Sequence, residues 1–272
     1  METRKRLADM AWPEAAAAAQ AGRTVLIPVG SFEQHGTHLP LCSDTVQAEE
    51  MALDAVALLD QWGIKAAVGP AIPFGVNPGA MAFPGSVTLK PDTLKQLLAE
   101  VCLSLKAHGF DQAALIMGHD ENLPAMLMAA QELTHEHGVR TLALNWLPYL
   151  KLFEQDQLSA AGARTADGHG GAGETSRMLA RFPELVRLEQ AQAYTVPLAP
   201  AGEALAYSGP PLLGGGVYNP AKDLTGFAPP AHPGIVGDPR LADAANGEQA
   251  YHICAEWIAQ VIRREFYPGL PA

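Results

Sequence analysis

The sequence predicts an α/β fold built on a mainly parallel sheet with helices on both faces. Three observations predict it. Apolar runs of strand length alternate with longer amphipathic segments, and those segments repeatedly stop at a glycine. No internal repeat or linker divides the chain, so its 272 residues read as one domain, 1–272, long enough to bury a substantial core.

The elements follow in order. The segment "METRKRLADMAWPEAAAAAQ" is basic at first, but no apolar stretch of a signal peptide follows, and its alanine run reads as helix. "TVLIPV" (24–29) is a buried strand. "TVQAEEMALDAVALLDQWG" (45–63) is an amphipathic helix ended by Gly63, and "IKAAVGPAI" (64–72) is the next strand. Residues 90–109 form a helix stopped by Gly109, "QAALIMG" a strand, 122–138 a helix and "VRTLALNW" a strand. After Lys151 the pattern loosens. "ADGHGGAGETSRMLARFPELV" reads as a loop running into a helix. Residues 188–238, rich in Pro, Gly and Ala, suit a site covering or a subunit contact. A long amphipathic helix at 240–266 closes the chain.

Composition excludes several classes. The formal net charge of −11 argues against nucleic acid and anionic membranes as partners. No apolar stretch is long enough for a membrane span. Cys42, Cys102 and Cys254 are odd in number and widely spaced, which fits a reducing cytoplasm rather than a disulfide framework.

The chemistry concentrates after the strands. "PVGSFEQHGTHLPLCSD" carries Glu33, His35, His38 and Asp44 directly past the first strand, and "LIMGHDEN" carries His119 and Glu121 past a later one. Taken singly, Glu33 and Asp44 read as solvated loop charges, with Asp44 capping a helix. Together, the two acid-plus-histidine pairs fall at the same rim of an open parallel sheet, where ligands bind. Three carboxylates with two histidines do not resemble a cysteine-rich structural zinc site. They suit two divalent ions with water positions left open, and Asp44, short and held at a helix start, is the natural bridge. In "GHGGAGETS", His169 is placed for proton transfer, and Glu174 opens a helix from which it can orient His169 or reach a metal. His38 is read as a supporting residue behind the ligands. His232 is given no role beyond lying in a loop able to cover the site.

The motifs "GSFEQHGTHLPLCSD", "FPGSVTL", "MGHDEN", "HGGAGETS" and "GIVGDP", in this order, resemble the creatininase (creatinine amidohydrolase) family over about residues 20 to 265. The resemblance implies a three-layer α/β/α fold, a metal-dependent amidohydrolase, two divalent ions of Zn²⁺ and/or Mn²⁺, and a homo-oligomer, often a hexamer. It implies Glu33, His35, Asp44, His119 and Glu121 as metal ligands, one ion held by Glu33 and His119 and the other by His35 and Glu121, with Asp44 between them. It implies His169 as catalytic and Glu174 as its companion acid. In that reading a hydroxide between the ions attacks a small cyclic or linear amide, and His169 carries the proton. Two positions depart from true creatininases. Asp120 stands where they carry an aromatic residue, and Thr165 and Ala166 stand where they carry Trp-Asp. A polar or cationic substrate touching Asp120 is the expected replacement for creatinine's stacking platform. A peptidase for a modified peptide, a formamide hydrolase acting on a pyrimidine, and a non-catalytic binding subunit are the alternatives.

Overall fold

The computed structural model describes residues 5–160, 167–194, 229 and 232–270. Four parallel strands form its sheet: β1 (Thr24–Val29), β2 (Ala66–Val68), β3 (Gln112–Met117) and β4 (Arg140–Leu144). Their spatial order is β2-β1-β3-β4. Leu26 lies opposite Val68 on one side and Ala114 on the other, and Val29 lies opposite Met117.

All six residues of β1 are buried, because both faces of the sheet are covered. On one face Leu26, Val68, Ala114, Ile116 and Leu144 pack against α2 (Ser43–Gln61), α5 (Leu147–Ala160) and α7 (Ala244–Phe266). On the other, Val25, Ile27, Val29, Leu115 and Met117 pack against α1 (Trp12–Gln20), α3 (Pro91–Lys106) and α4 (Leu123–His135). Alternate residues of one strand thus serve opposite layers, each fully buried side chain contributing roughly 1.5–3 kcal/mol. The result is the three-layer α/β/α arrangement expected from the sequence. A further helix, α6 (Ala172–Arg181), packs mainly on α7.

Several boundaries differ from the expectation. The strand expected at 64–72 is confined to Ala66–Val68, with only Ile72 rejoining β1 by an isolated bridge to Val29. Helix α2 begins at Ser43, so Asp44 sits inside its first turn rather than capping it from outside. The last helix begins at Ala244 instead of 240. Pro239–Leu241 forms a separate 3₁₀ turn, and Asp243 caps α7 by accepting from the amides of Ala245 and Asn246. Helix α5 has no clear apolar stripe in the sequence to mark it. Most of the expected covering segment, including 195–228, lies outside the described residues, as do Thr165 and Ala166.

The chain leaves β1 toward β2, then returns to place β3 on the other side of β1. The carboxyl ends of β1 and β3 therefore flank a topological switch point, where the crevice of an open α/β sheet opens. Among the described residues, no helix is long and apolar enough to cross a membrane.

Candidate metal centre

Glu33 and His35 follow β1, His119 follows β3, and Asp44 enters from the first turn of α2. Close backbone approach brings these pieces together. A Cβ on Gly118 would stand 2.7 Å from the backbone oxygen of Asp44 and 3.0 Å from Ala48. Only glycine lets α2 close against the tip of β3 here, and that sets Asp44 beside His119. Asn122 ties the same region. Its Oδ1 accepts from the Val76 amide at 2.8 Å, and its Nδ2 donates to the Gly30 carbonyl at 2.9 Å. The sequence signal for this clamp is the asparagine that ends "MGHDEN".

Both inner histidines are oriented in the same manner. His35 Nδ1 donates to the backbone carbonyl of Glu33 at 3.1 Å. Its other nitrogen, Nε2, faces Asp44 Oδ1 at 3.0 Å and Glu174 Oε2 at 3.5 Å. His119 Nε2 donates to the Val76 carbonyl at 3.0 Å. Its Nδ1 faces Glu33 Oε1 at 3.0 Å and Asp44 Oδ2 at 3.3 Å. A histidine that gives one N–H to a carbonyl presents its second nitrogen as a lone pair, the usual preparation of a metal ligand.

The residues separate into overlapping groups whose ligand atoms lie within 4.8 Å of one another: Glu33, Asp44 and His119; His35, Asp44 and Glu174; and Glu33, His35 and His169. Asp44 belongs to the first two, with one oxygen turned to each. Two oxygens in this cluster, Glu33 Oε1 and Asp44 Oδ2, are buried without a hydrogen-bond partner. A buried carboxylate oxygen left in this condition is costly. A divalent cation between them and His119 Nδ1 would satisfy both, so the donor set fits such ions.

The electrostatics carry the same sign. Burial works against a charged His35, yet Asp44, Glu174 and Glu33 overcome it and raise its pKa to about 10. His119 is likewise raised well above its usual value against burial, by Glu33, Asp44 and Glu121. Burial disfavours the Asp44 carboxylate, but His35 and His119 outweigh it and hold Asp44 well below the ordinary range. The cluster is a cage of negative charge that draws in cations, protons included. His38 behaves differently. Burial, then the neighbouring His35, depresses its pKa to about 4, and its Nε2 meets Thr175 Oγ1 at 2.9 Å. It is a neutral packing partner that ties the loop to α6.

The structure arranges the remaining expected residues as follows. Glu174 reaches His35, the place expected for Glu121. Glu121 stands outside the three groups, its Oε2 3.6 Å from His119 Nε2, the nitrogen turned away from Glu33 and Asp44. His169 faces the centre: Nδ1 is 3.7 Å from Glu33 Oε1, and Nε2 donates to the Gln34 carbonyl at 2.7 Å. Glu174 Oε2 accepts from the Gly170 amide at 2.7 Å. Asp120 lines a cavity of about 100 Å³ together with Asp44, His119, Trp146, Lys151 and Glu174.

Three contributors escaped the sequence reading. Trp146 lies two residues past the end of β4 and lines the cavity. Asp167 accepts from the amides of Ala172 and Gly173 at 2.7 and 2.9 Å, anchoring the start of α6. Burial raises its pKa to about 7, against the pull of those amides. Arg177 lies fully buried behind Glu174. Segment 232–238 packs beside His169, whose carbonyl accepts from the Val236 amide at 2.7 Å.

The family model described as creatinine amidohydrolase matches residues 8–262. The chain belongs to the creatininase family. Creatinine amidohydrolase of Pseudomonas putida is 29% identical over 275 residues, covering 96% of both chains. The mycofactocin precursor peptide peptidase of Mycolicibacterium smegmatis is 30% identical over 244 residues, covering 88% of this chain and 84% of the relative. A solved creatinine amidohydrolase superposes with a TM-score of 0.75 at 25% identity, covering 98% of this chain and 100% of the other. The chain thus falls in a family of hydrolases and shares the three-layer fold of that solved relative.

Proposed function

We propose that this creatininase-family hydrolase is a two-ion amidohydrolase that cleaves a C–N bond of a small cyclic or linear amide. The observation that carries the reading is Asp44, one oxygen on the His35 side and the other on the His119 side. In this reading Glu33, Asp44 and His119 hold one ion, and His35, Asp44 and Glu174 hold the other. Glu121 backs His119. Zn²⁺ and Mn²⁺ are the expected ions, since mixed imidazole and carboxylate donors suit both, and solved relatives are described as Mn and Zn-Zn creatininases. When bound, the ions supply Lewis-acid polarisation of the amide carbonyl and a lowered pKa for water.

The protein's own groups do the rest. His169 spends Nε2–H on the Gln34 carbonyl, so Nδ1 is the basic nitrogen and faces the centre. It accepts a proton from the attacking water and delivers it to the departing nitrogen. Asp120, on the cavity wall, contacts a polar or cationic part of the substrate. Trp146 offers an aromatic face in the same wall.

Creatinine is the first substrate to test, with lactams or formamido-pyrimidines next. A peptidase acting on a modified peptide is the second reading, supported by the similarity to the mycofactocin precursor peptide peptidase. The proposal includes a homo-oligomer, a hexamer by family likeness, working in a reducing cytoplasm that suits its three free thiols. The test is hydrolysis of an amide panel by protein loaded with Zn²⁺ or Mn²⁺. Cleavage of a small amide supports the reading. Metal-loaded protein that cleaves no C–N bond overturns it.

A further inference from the structure

We propose that Arg177 is a positioning residue that fixes which oxygen of Glu174 faces the metal centre. The inference rests on the two-ion reading above and assigns the device that completes the His35 side of it.

Arg177 follows Glu174 by three residues on α6 and is 2% exposed. Its guanidinium is gripped from several elements. Nε donates to Gln47 Oε1 on α2 at 2.6 Å, and Nη1 donates to Glu154 Oε1 on α5. Its Cζ stands 5.5 Å from the centre of the Trp146 ring. Glu154 itself is boxed in, because a Cβ on Gly173 would stand only 2.6 Å from its carboxylate. With those contacts made, Nη2 lies 4.0 Å from Glu174 Oε1. The other oxygen, Oε2, takes the Gly170 amide and faces His35 Nε2.

The last torsion of a glutamate is broad and weakly restrained by itself. Two opposed anchors remove that freedom here: a buried cation behind Oε1 and a backbone amide beside Oε2. A single point charge on a flexible stem would not fix the arrangement equally well, whereas the planar fork of arginine presents several donors at once. Arg177 also lines the cavity wall beside Glu154 and Glu174, so a change in its pose is felt at the substrate as well.

The decisive variant is Arg177→Met/Glu154→Gln. It removes both members of the Arg177–Glu154 pair together, so Glu154 is not left as an unpaired buried charge that unfolds the chain for unrelated reasons. Metal-free wild type and variant are titrated with Mn²⁺ by calorimetry and followed by electron paramagnetic resonance. Wild type takes up two ions and reaches a spin-coupled spectrum. The variant retains the ion at Glu33, Asp44 and His119 with unchanged affinity. Its second ion weakens by roughly 10–100-fold, the range typical of partners that orient ligands, and the coupled spectrum is delayed accordingly. Arg177→Lys, which keeps the charge but loses the fork, weakens the second ion in the same direction and covers the case in which the double variant does not fold. Two ions bound as tightly in the variants as in wild type overturn the positioning role while leaving the two-ion reading intact. Fewer than two ions in wild type overturns that reading and this inference with it.

Discussion

His35 Nε2 lies 3.0 Å from Asp44 Oδ1, a buried contact between the loop after β1 and the first turn of α2. Asp44 Oδ2 faces His119, which comes from the tip of a different strand. One aspartate thus joins three elements, and it does so at the switch point of the sheet.

Asp44→Asn keeps the shape of the side chain and removes its charge. Because both ion positions draw on Asp44, this substitution lowers the metal content below one ion per chain. It also cuts amide hydrolysis by more than the roughly 10–100-fold seen when only a ligand's supporting partner is lost. Metal analysis beside a rate assay checks both effects.

His169→Asn leaves the carboxylate cage in place and removes the proton carrier. The expected loss is about 10²–10⁴-fold in kcat with bound metal retained. Loss of metal in parallel with activity would instead make His169 a ligand, a role that its place near Glu33 and His35 also permits geometrically.

The pH behaviour has a definite sign. The pKa of His35 is raised from 6.5 to about 10 in the folded, metal-free protein. The stabilising contribution of its protonated pairing is fully present below pH 6.5 and is lost as pH rises through about 10. A metal ion must displace that proton. Apparent metal affinity therefore increases by about tenfold per pH unit for each proton released. Thermal melts of metal-free protein should fall between pH 7 and 10.5 while metal titrations tighten over the same range. Parallel trends would contradict the assignment.

Asp167→Ala strips the first two amides of α6 of their acceptor. Loss of such a helix-start acceptor costs about 0.5–2 kcal/mol, a drop of a few degrees in Tm for a domain of this size. Since α6 carries Glu174, metal affinity should fall alongside Tm.

Much of this was legible in the sequence because it is local. "TVLIPV" reads as a doubly covered strand because every residue in it is compatible with burial, and all are buried. Glu33, His35 and His119 announce themselves by following such strands. What was not legible depends on distant packing. Glu121 and Glu174 are both acids beside histidines, and spacing alone favours Glu121. Only the docking of α6 against the loop after β1, through His38 with Thr175 and Glu174 with the Gly170 amide, sets Glu174 next to His35. The Glu154–Arg177 pair joins residues 23 apart from two helices, one of which carries no clear apolar stripe. The place of Asp167 as the anchor of α6 emerges only once the backbone folds back on it.

Anomalous diffraction from crystals soaked in Mn²⁺ or Zn²⁺ tests the central claim most directly. The account predicts two peaks about 3.5–4 Å apart, with Asp44 touching both, Glu33 and His119 on one, and His35 and Glu174 on the other. A single peak, or peaks that Asp44 does not share, would contradict it.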